Sequence, residues 1–218
     1  MSFTRNGLVA ALSPADQRAL RAACELTPLT ANRMLSSSEK AARNAYFLTG
    51  ASVALLTSDG SNTGAAVGLV GLEGAVGLQF GLGLGPSRFG LLVQTQGPAW
   101  MISGGALQRI VQSRPSMLLA LARYLWSVGE ELAEFASAVQ QQTVSQRLAT
   151  WILRSQAADP NDALLLTHSH IASMLGVRRA SVSAAANEMR DLGLLDYSRG
   201  RIQVLNRRKL LALSLALR

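Results

Sequence analysis

The residues whose spacing best fits a binding role lie between Thr167 and Ile202. Two short amphipathic helical patterns there are separated by Gly176. Ala172 precedes this glycine by four positions, and Val182 follows it by six. Such spacing is typical of a helix-turn-helix, where a small residue lets the helices cross closely, a glycine forms the turn and an apolar residue holds the second helix down. The pattern predicts a DNA-binding motif.

Positive charge is concentrated in the same part of the chain. Residues 143–218 hold eleven Lys and Arg against five Asp and Glu, whereas residues 1–142 hold ten against eight. A predicted hairpin after the second helix adds Arg199, Gly200 and Arg201 to this region. Because Lys and Arg neutralise phosphates and release counterions, the local excess favours a polyanionic partner. Charge alone leaves a merely solvated basic surface as the alternative.

Other kinds of site find little support. The single cysteine, Cys24, excludes an internal disulfide and a four-cysteine cluster, and it is expected to be a small buried apolar residue. His168 and His170 stand at a helix start without nearby carboxylates, which is a weak metal-binding pattern. The sequence contains no Ser-His-Asp set, paired catalytic carboxylates or Gly-Lys phosphate loop. We therefore expect no metal, no cofactor and no enzymatic activity.

The sequence also predicts a cytoplasmic protein without a membrane span. The apolar stretch before Ser13 is only about six residues long, too short for a signal peptide. Gly64–Gly85 is long enough to cross a bilayer and has Glu73 as its only charge, but it contains eight glycines and no flanking basic cluster. Short strands with glycine at turns explain this segment better.

The elements around the motif fall into three regions. Residues 1–45 are expected to be mostly helical, with Ser13 and Pro14 starting a helix that continues to Leu26. Between Tyr46 and Gly105, which hold most of the glycines, short apolar runs alternate with turn signals and predict an antiparallel barrel or sandwich. The predicted strands are Tyr46–Leu48, Val53–Thr57, Ala65–Val70, Gly77–Phe80, Phe89–Gln94 and Ala99–Ile102.

A long helix is predicted from Pro115 to Gln142. Its apolar residues alternate at spacings of three and four, which places them at the a and d positions of successive heptads and favours a seam between two helices in a homodimer. The alternative is one helix that packs on its own barrel. The predicted seam residues are Leu118, Leu121, Leu125, Val128, Leu132, Phe135 and Val139.

Together these segments resemble the Crp/Fnr family of bacterial transcription regulators. The resemblance is clearest over residues 146–205, where QRLATWIL, LTHSHIASMLGVRRASVS and GLLDYSRGRIQVL stand in the family's order and spacing; over residues 69–119 it rests on LVGLEGAVG and the strand pair around Phe89–Ile102. It implies an α+β fold: an antiparallel β-roll of the jelly-roll type in residues 1–114, a dimerisation helix in 115–142 and a winged helix-turn-helix in 143–218.

The resemblance also implies roles for residues near the predicted recognition helix, which runs from about Arg178 to Leu192. Arg179 occupies a position that often reads a base, and Ala180 and Ala184 could meet only a thymine methyl. Asn187 is either base-reading or solvated. Ser181 and Ser183 suit phosphates or bases, and the backbone contacts are assigned to Ser169, Arg178, Arg199 and Arg201.

The effector site of the family is incomplete here. Arg88 is the candidate for the arginine that holds a cyclic phosphate, but Phe89 follows it where the family has Ser or Thr, and Leu78 stands near the position of the ribose-binding Glu. The implied protein is a homodimeric, sequence-specific regulator of double-stranded DNA, independent of cyclic nucleotides, with RNA polymerase as a further partner. An effector-gated sensor, whose roll binds a cyclic nucleotide or another small molecule, is the alternative.

Overall fold

The α+β fold is confirmed by the computed structural model of the chain. The structure describes residues 2–36, 43–57, 64–85, 87, 89–156, 164–198 and 200–215. Among them, no helix is both long enough and apolar enough to cross a membrane. Eight α-helices, two 3-10 helices and eleven strands lie in these ranges.

The amino-terminal half is an antiparallel β-roll of two four-stranded sheets, with strand orders β1-β8-β3-β6 and β2-β7-β4-β5. Two short helices precede it, α1 (Gly7–Ala10) and α2 (Pro14–Ala23). The strands of the roll are β1 (Glu25–Leu29), β2 (Met34–Ser36), β3 (Asn44–Leu48), β4 (Ser52–Thr57), β5 (Ala66–Val70), β6 (Ala75–Val76), β7 (Phe89–Thr95) and β8 (Gly97–Ser103).

Two of the local predictions for this half are wrong. Residues 25–36 form β1 and β2, not helix, because β1 pairs along its whole length with β8 and that pairing overrides the local helical pattern. The predicted strand Gly77–Phe80 is replaced by a 3-10 helix, Leu78–Leu82. Gly77 and Gly83 flank this helix with φ of 79° and 72°, a left-handed backbone that ends the preceding strand and the helix. Within Gly64–Gly85 the structure therefore has two strands and one 3-10 helix.

Two further helices leave the roll, α3 (Gly104–Ser113) and α4 (Pro115–Gln141). The start of α4 is tied to α2 through Asp16, whose side chain is only 2 % exposed. Arg114 and Ser116 donate to the Asp16 carboxylate at 3.0 and 2.7 Å, and Ser13 donates at 2.8 Å. These donors, above all Ser116, hold the pKa of Asp16 below its usual value.

The carboxyl-terminal part is a winged helix-turn-helix. It consists of α5 (Val144–Ser155), β9 (Leu164–Leu165), α6 (His168–Leu175), α7 (Arg179–Asp191), β10 (Leu195–Ser198), β11 (Arg201–Val204) and α8 (Arg207–Leu215). The strands form an antiparallel sheet in the order β10-β11-β9. A capping box starts α5: Gln146 donates its backbone N–H to the Thr143 hydroxyl, and Thr143 donates to the Gln146 side chain.

Strands β4 and β5 form a wall between two cores. Side chains alternate across a strand, so Val53 and Leu55 point into the roll. Ala54 and Leu56 point the other way, into one apolar cluster with Trp151 and other residues of the winged domain. Leu69 on β5 belongs to this second cluster, whereas Val70 belongs to the first. The winged domain is thus packed on the outer face of the roll.

Candidate DNA-binding surface

The turn between α6 and α7 has the geometry that the spacing predicted. Gly176 has φ of 63°, a conformation that favours glycine, and it caps α6. Ala172 and Val182 are 6 % and 0 % exposed and lie in the core between the two helices. Thr167 starts α6 by accepting a hydrogen bond from the His170 backbone N–H at 3.2 Å. The helix-turn-helix is therefore built as the sequence indicates.

Helix α7 has one buried and one exposed face. Val182, Ala185 and Met189 are buried, as predicted. The exposed side carries the predicted contact residues: Arg178, Arg179, Ala180, Ala184 and Asn187 are exposed, and Ser181 and Ser183 are half-buried. Arg178 is the residue that precedes the helix, so both guanidinium groups stand at the amino end of α7.

The arginines at the amino end of α7 form no ion pair with a carboxylate of the described residues. The ion pairs of the described residues join Arg114 to Asp16, Arg154 to Glu131 and Arg190 to Asp191. Neither Arg178 nor Arg179 takes part in one. Guanidinium groups without a protein partner can bind phosphate or the edge of a guanine without first breaking a salt bridge.

The wing carries a further exposed cation. Arg201, the first residue of β11, is exposed and pairs with Ser198 in the hairpin. Ser169 is exposed in the first turn of α6. Arg199 lies outside the described residues.

The contacts of two side chains in this domain were not predicted from the sequence. Arg147 on α5 donates to the carbonyl of Leu175 at the end of α6, and burial lowers the pKa of its guanidinium. His168 contacts both the recognition helix and the wing, through Ser183 and Tyr197. No local signal could reveal these contacts, because each joins residues at least fifteen positions apart in the chain.

The two histidines belong to no metal-binding cluster in the described part of the chain. No group of three or more His, Cys, Asp or Glu side chains close enough to hold a metal ion exists among the described residues. Burial lowers the pKa of both His168 and His170, with the charge of Arg179 as a second cause for His168. Cys24 is buried, as predicted, and burial raises the pKa of its thiol to about 12.

A cavity of about 200 Å³ lies between the roll and α4. Leu55, Val70, Leu78 and Phe89 are among its walls on the roll side. From α4 it is lined by Tyr124, Leu125, Val128 and Leu132, and its described polar lining includes Gln79 and Ser87. Arg88, the predicted effector residue, lies outside the described residues.

The polar groups of Glu73 and Tyr124, near this cavity, already have hydrogen-bond partners within the chain. The Glu73 carboxylate accepts a hydrogen bond from the backbone N–H of Gly71 at 2.6 Å, within its own turn. The Tyr124 hydroxyl donates to the carbonyl of Ala75 at 3.2 Å and accepts from the N–H of Ala75 at 3.1 Å. Burial raises the pKa of Tyr124, so its hydroxyl stays protonated. Through these two hydrogen bonds Tyr124 joins α4 to strand β6 of the roll.

The heptad stripe of α4 divides between two surfaces. Leu121 is fully buried in the core of the chain, so the prediction that it lies in a dimer seam is wrong. Val128, Leu132 and Phe135 also pack against cores of the same chain. Leu118, Leu125 and Val139 are 46 %, 37 % and 44 % exposed.

Comparison with known proteins supports the fold and the carboxyl-terminal domain. Residues 146–213 match the family model of the Crp-like helix-turn-helix domain. No curated protein matches the chain.

Several solved structures are similar to most of the chain, among them the following three. A protein described as a Crp/Fnr-family regulator from Eubacterium rectale has a TM-score of 0.72 at 14 % identity, covering 98 % of this chain and 100 % of that one. The c-di-GMP responsive global regulator CLP of Xanthomonas campestris has a TM-score of 0.66 at 16 % identity, with coverage of 88 % and 99 %. A Crp/Fnr-family transcriptional regulator of Thermus thermophilus has a TM-score of 0.66 at 19 % identity, with coverage of 89 % and 100 %. The chain therefore has the fold of Crp/Fnr regulators.

Proposed function

We propose that this chain is a homodimeric, sequence-specific DNA-binding regulator of transcription. The observation that carries the proposal is the exposed amino end of α7, where Arg178 and Arg179 have no carboxylate partner among the described residues. The match of residues 146–213 to a Crp-like helix-turn-helix domain supports it. RNA polymerase is a further expected partner, and no catalytic activity is expected.

On DNA, α7 would enter the major groove with its first turns against the bases. Arg179 is the candidate for a bidentate contact with guanine, whereas Ala180 and Ala184 present methyl groups that suit thymine. Arg178, Ser169 and the wing residue Arg201 would bind the phosphate backbone and fix the register of the helix. Arg199 remains a predicted phosphate contact.

Dimerisation would use the exposed face of α4. Leu118 and Leu125 are exposed there although they are large and apolar. Ala122, Gly129 and Ala136 are exposed at intervals of seven residues on the same face, and a Cβ added at Gly129 would meet no atom within 4 Å. Small residues at such intervals would let a second α4 approach closely. Two α7 helices would then lie about 34 Å apart, one turn of DNA.

The test is the selection of bound sites from random duplex DNA by the purified protein. The expected product is an inverted repeat with half-site centres about ten base pairs apart. Selections with cyclic AMP, cyclic GMP and cyclic di-GMP are expected to give the same repeat at the same enrichment, because the cavity wall has Leu78 and Phe89 where a nucleotide would need polar partners.

The matched control is Arg190→Ala in the last turn of the same helix, since Arg190 already lies 3.9 Å from Asp191 and is expected not to contact DNA. This variant should select the same sequence, whereas the double variant Arg178→Ala/Arg179→Ala should select none. Enrichment of a single half-site would contradict the dimer, and enrichment only with a nucleotide would contradict the nucleotide-independent proposal. No enrichment under any condition would reject DNA recognition.

A second candidate function is favoured by the cavity: an effector-gated regulator. The described lining is uncharged and mostly apolar, which suits an uncharged, largely apolar small molecule better than a cyclic phosphate. The cavity touches Leu125, which is also exposed on the proposed dimer face, so a ligand could bias the contact between protomers. Calorimetric titration with indole as the probe should give binding that Val70→Phe abolishes. Binding of cyclic AMP instead would reject this ligand class.

A further inference from the structure

His168 joins the recognition helix to the wing. As the first residue of α6 it lies between the two, with its Nδ1 atom 2.9 Å from the Ser183 hydroxyl oxygen on α7. Its ring stacks on Tyr197 of β10, with centroids 4.0 Å apart and ring planes 19° from parallel. One side chain therefore contacts both of the elements that the proposed function brings to DNA.

The unpaired Nε2 atom of His168 decides which tautomer fits. Nε2 is buried and has no hydrogen-bond partner among the described residues. A hydrogen on Nε2 would thus be a buried donor without an acceptor, which native structures avoid more strictly than an unpaired acceptor. The neutral tautomer with its hydrogen on Nδ1 fits better, so Nδ1–H donates to Ser183. The charged imidazolium is disfavoured by burial and by Arg179, the charged group that faces the ring from α7.

This tautomer determines whether the Ser183 hydroxyl can donate a hydrogen bond to another group. A hydroxyl is one donor and an acceptor. When its oxygen accepts from His168, its own hydrogen stays available, and no other side-chain hydrogen bond of Ser183 occurs among the described residues. Ser183 is half-buried on α7, beside the exposed residues Arg179, Ala184 and Asn187. It is therefore a preset donor on the surface that faces DNA.

We propose that His168 is a positioning residue for DNA recognition, which keeps the Ser183 hydroxyl as a donor to an acceptor oxygen or nitrogen of the DNA. The inference rests on the proposed function, since it names a further determinant of the same binding surface. The acceptor is a phosphate oxygen or a base edge.

Two replacements of His168 separate its two contacts. His168→Asn places an amide N–H near the position of Nδ1 and removes the ring, whereas His168→Phe keeps the ring on Tyr197 and removes the donor. Ser183→Ala removes the recipient. We expect His168→Phe and Ser183→Ala each to weaken binding to the selected duplex by roughly three- to tenfold. His168→Asn should stay within about twofold of the wild type.

The double variant His168→Phe/Ser183→Ala should bind no more weakly than the worse single variant, because both changes remove one interaction. Losses that multiply would overturn the proposal, as would an equal loss in His168→Asn and His168→Phe. A loss confined to the selected sequence assigns the acceptor to a base, and an equal loss on unrelated duplex assigns it to a phosphate; either supports the donor role.

A measurement without DNA keeps the inference testable if a variant folds poorly. The nitrogen chemical shifts of His168 in the free wild-type protein should show a hydrogen on Nδ1 at pH 7.5, and a hydrogen on Nε2 would overturn the proposal. The two proposals fail differently: a wild-type chain that binds no duplex rejects the proposed function, whereas a binding wild type with an equally strong His168→Phe rejects this inference alone.

Discussion

At the scale of single residues, two sets of arginines differ in their partners. Arg114, Arg154 and Arg190 are each paired with a carboxylate and so serve the fold or the solvated surface. Arg178, Arg179 and Arg201 are exposed and belong to no ion pair with a described carboxylate. Cations without a partner in the protein are the ones that can exchange counterions for phosphates.

Replacement of Arg179 separates base reading from general attraction to DNA. Arg179→Ala should cost about 1–3 kcal/mol of binding free energy on the preferred site and relax specificity at one base pair per half-site. Arg190→Ala, in the last turn of the same helix, should change neither quantity. Titration of labelled duplexes that carry single base changes would measure both; an equal loss on every duplex would contradict base readout.

At the scale of elements, the two histidines of the winged domain are expected to make its stability depend on pH. Burial lowers the pKa of His168 and His170 in the folded domain, whereas the unfolded chain binds protons with the ordinary histidine pKa of about 6.5. Below that pH the unfolded state binds more protons than the folded state. The stability that these neutral rings contribute is therefore complete above about pH 6.5 and is lost as the pH falls through their lower folded values.

We accordingly expect the free energy of unfolding to fall between pH 7.5 and pH 5.5. Urea unfolding at intermediate pH values would measure it in the wild type and in His168→Asn/His170→Asn, and the difference between the two isolates the histidines from Glu131, whose pKa is raised by burial. If the free energy of unfolding changed with pH in the same way in both proteins, the pH dependence could not be assigned to the histidines. Asp16 does not interfere, because its lowered pKa confines its effect to more acidic conditions.

Sequence patterns predicted the elements that local forces determine. Gly176 and Thr167 act within one turn of their neighbours, and the helix-turn-helix followed the prediction closely. Residues 25–36 did not, because β1 is held by β8, about seventy residues further along the chain. The stack of His168 on Tyr197 depends likewise on how α6 meets the wing, which no single segment specifies.

At the scale of the whole molecule, α4 packs on its own chain and, in the proposed dimer, would also pack on a second α4. Its Leu121, Val128 and Phe135 pack within the chain, while Leu118 and Leu125 remain exposed. A heptad pattern in sequence cannot distinguish these two uses, since both bury apolar residues at the same spacing. Burial in the folded protomer separates them.

The dimer face can be tested with substitutions that leave the protomer intact. Leu118→Lys/Leu125→Lys should convert a dimer into a monomer in analytical ultracentrifugation, since it places four like charges in the shared seam of the two helices. The control Leu26→Lys/Leu84→Lys changes two other exposed leucines, on β1 and after the 3-10 helix, and should stay dimeric. A dimer that survives the first pair would place the interface elsewhere.

The wall formed by β4 and β5 has a consequence for how the chain loses its structure. Ala54, Leu56 and Leu69 share one core with Trp151, so neither half can melt without uncovering apolar surface on the other. The chain is therefore expected to unfold in a single calorimetric transition although its architecture looks modular. A fragment that ends before α5 would expose the apolar outer face of β4 and β5 to water. We therefore expect this fragment to aggregate and not to fold on its own.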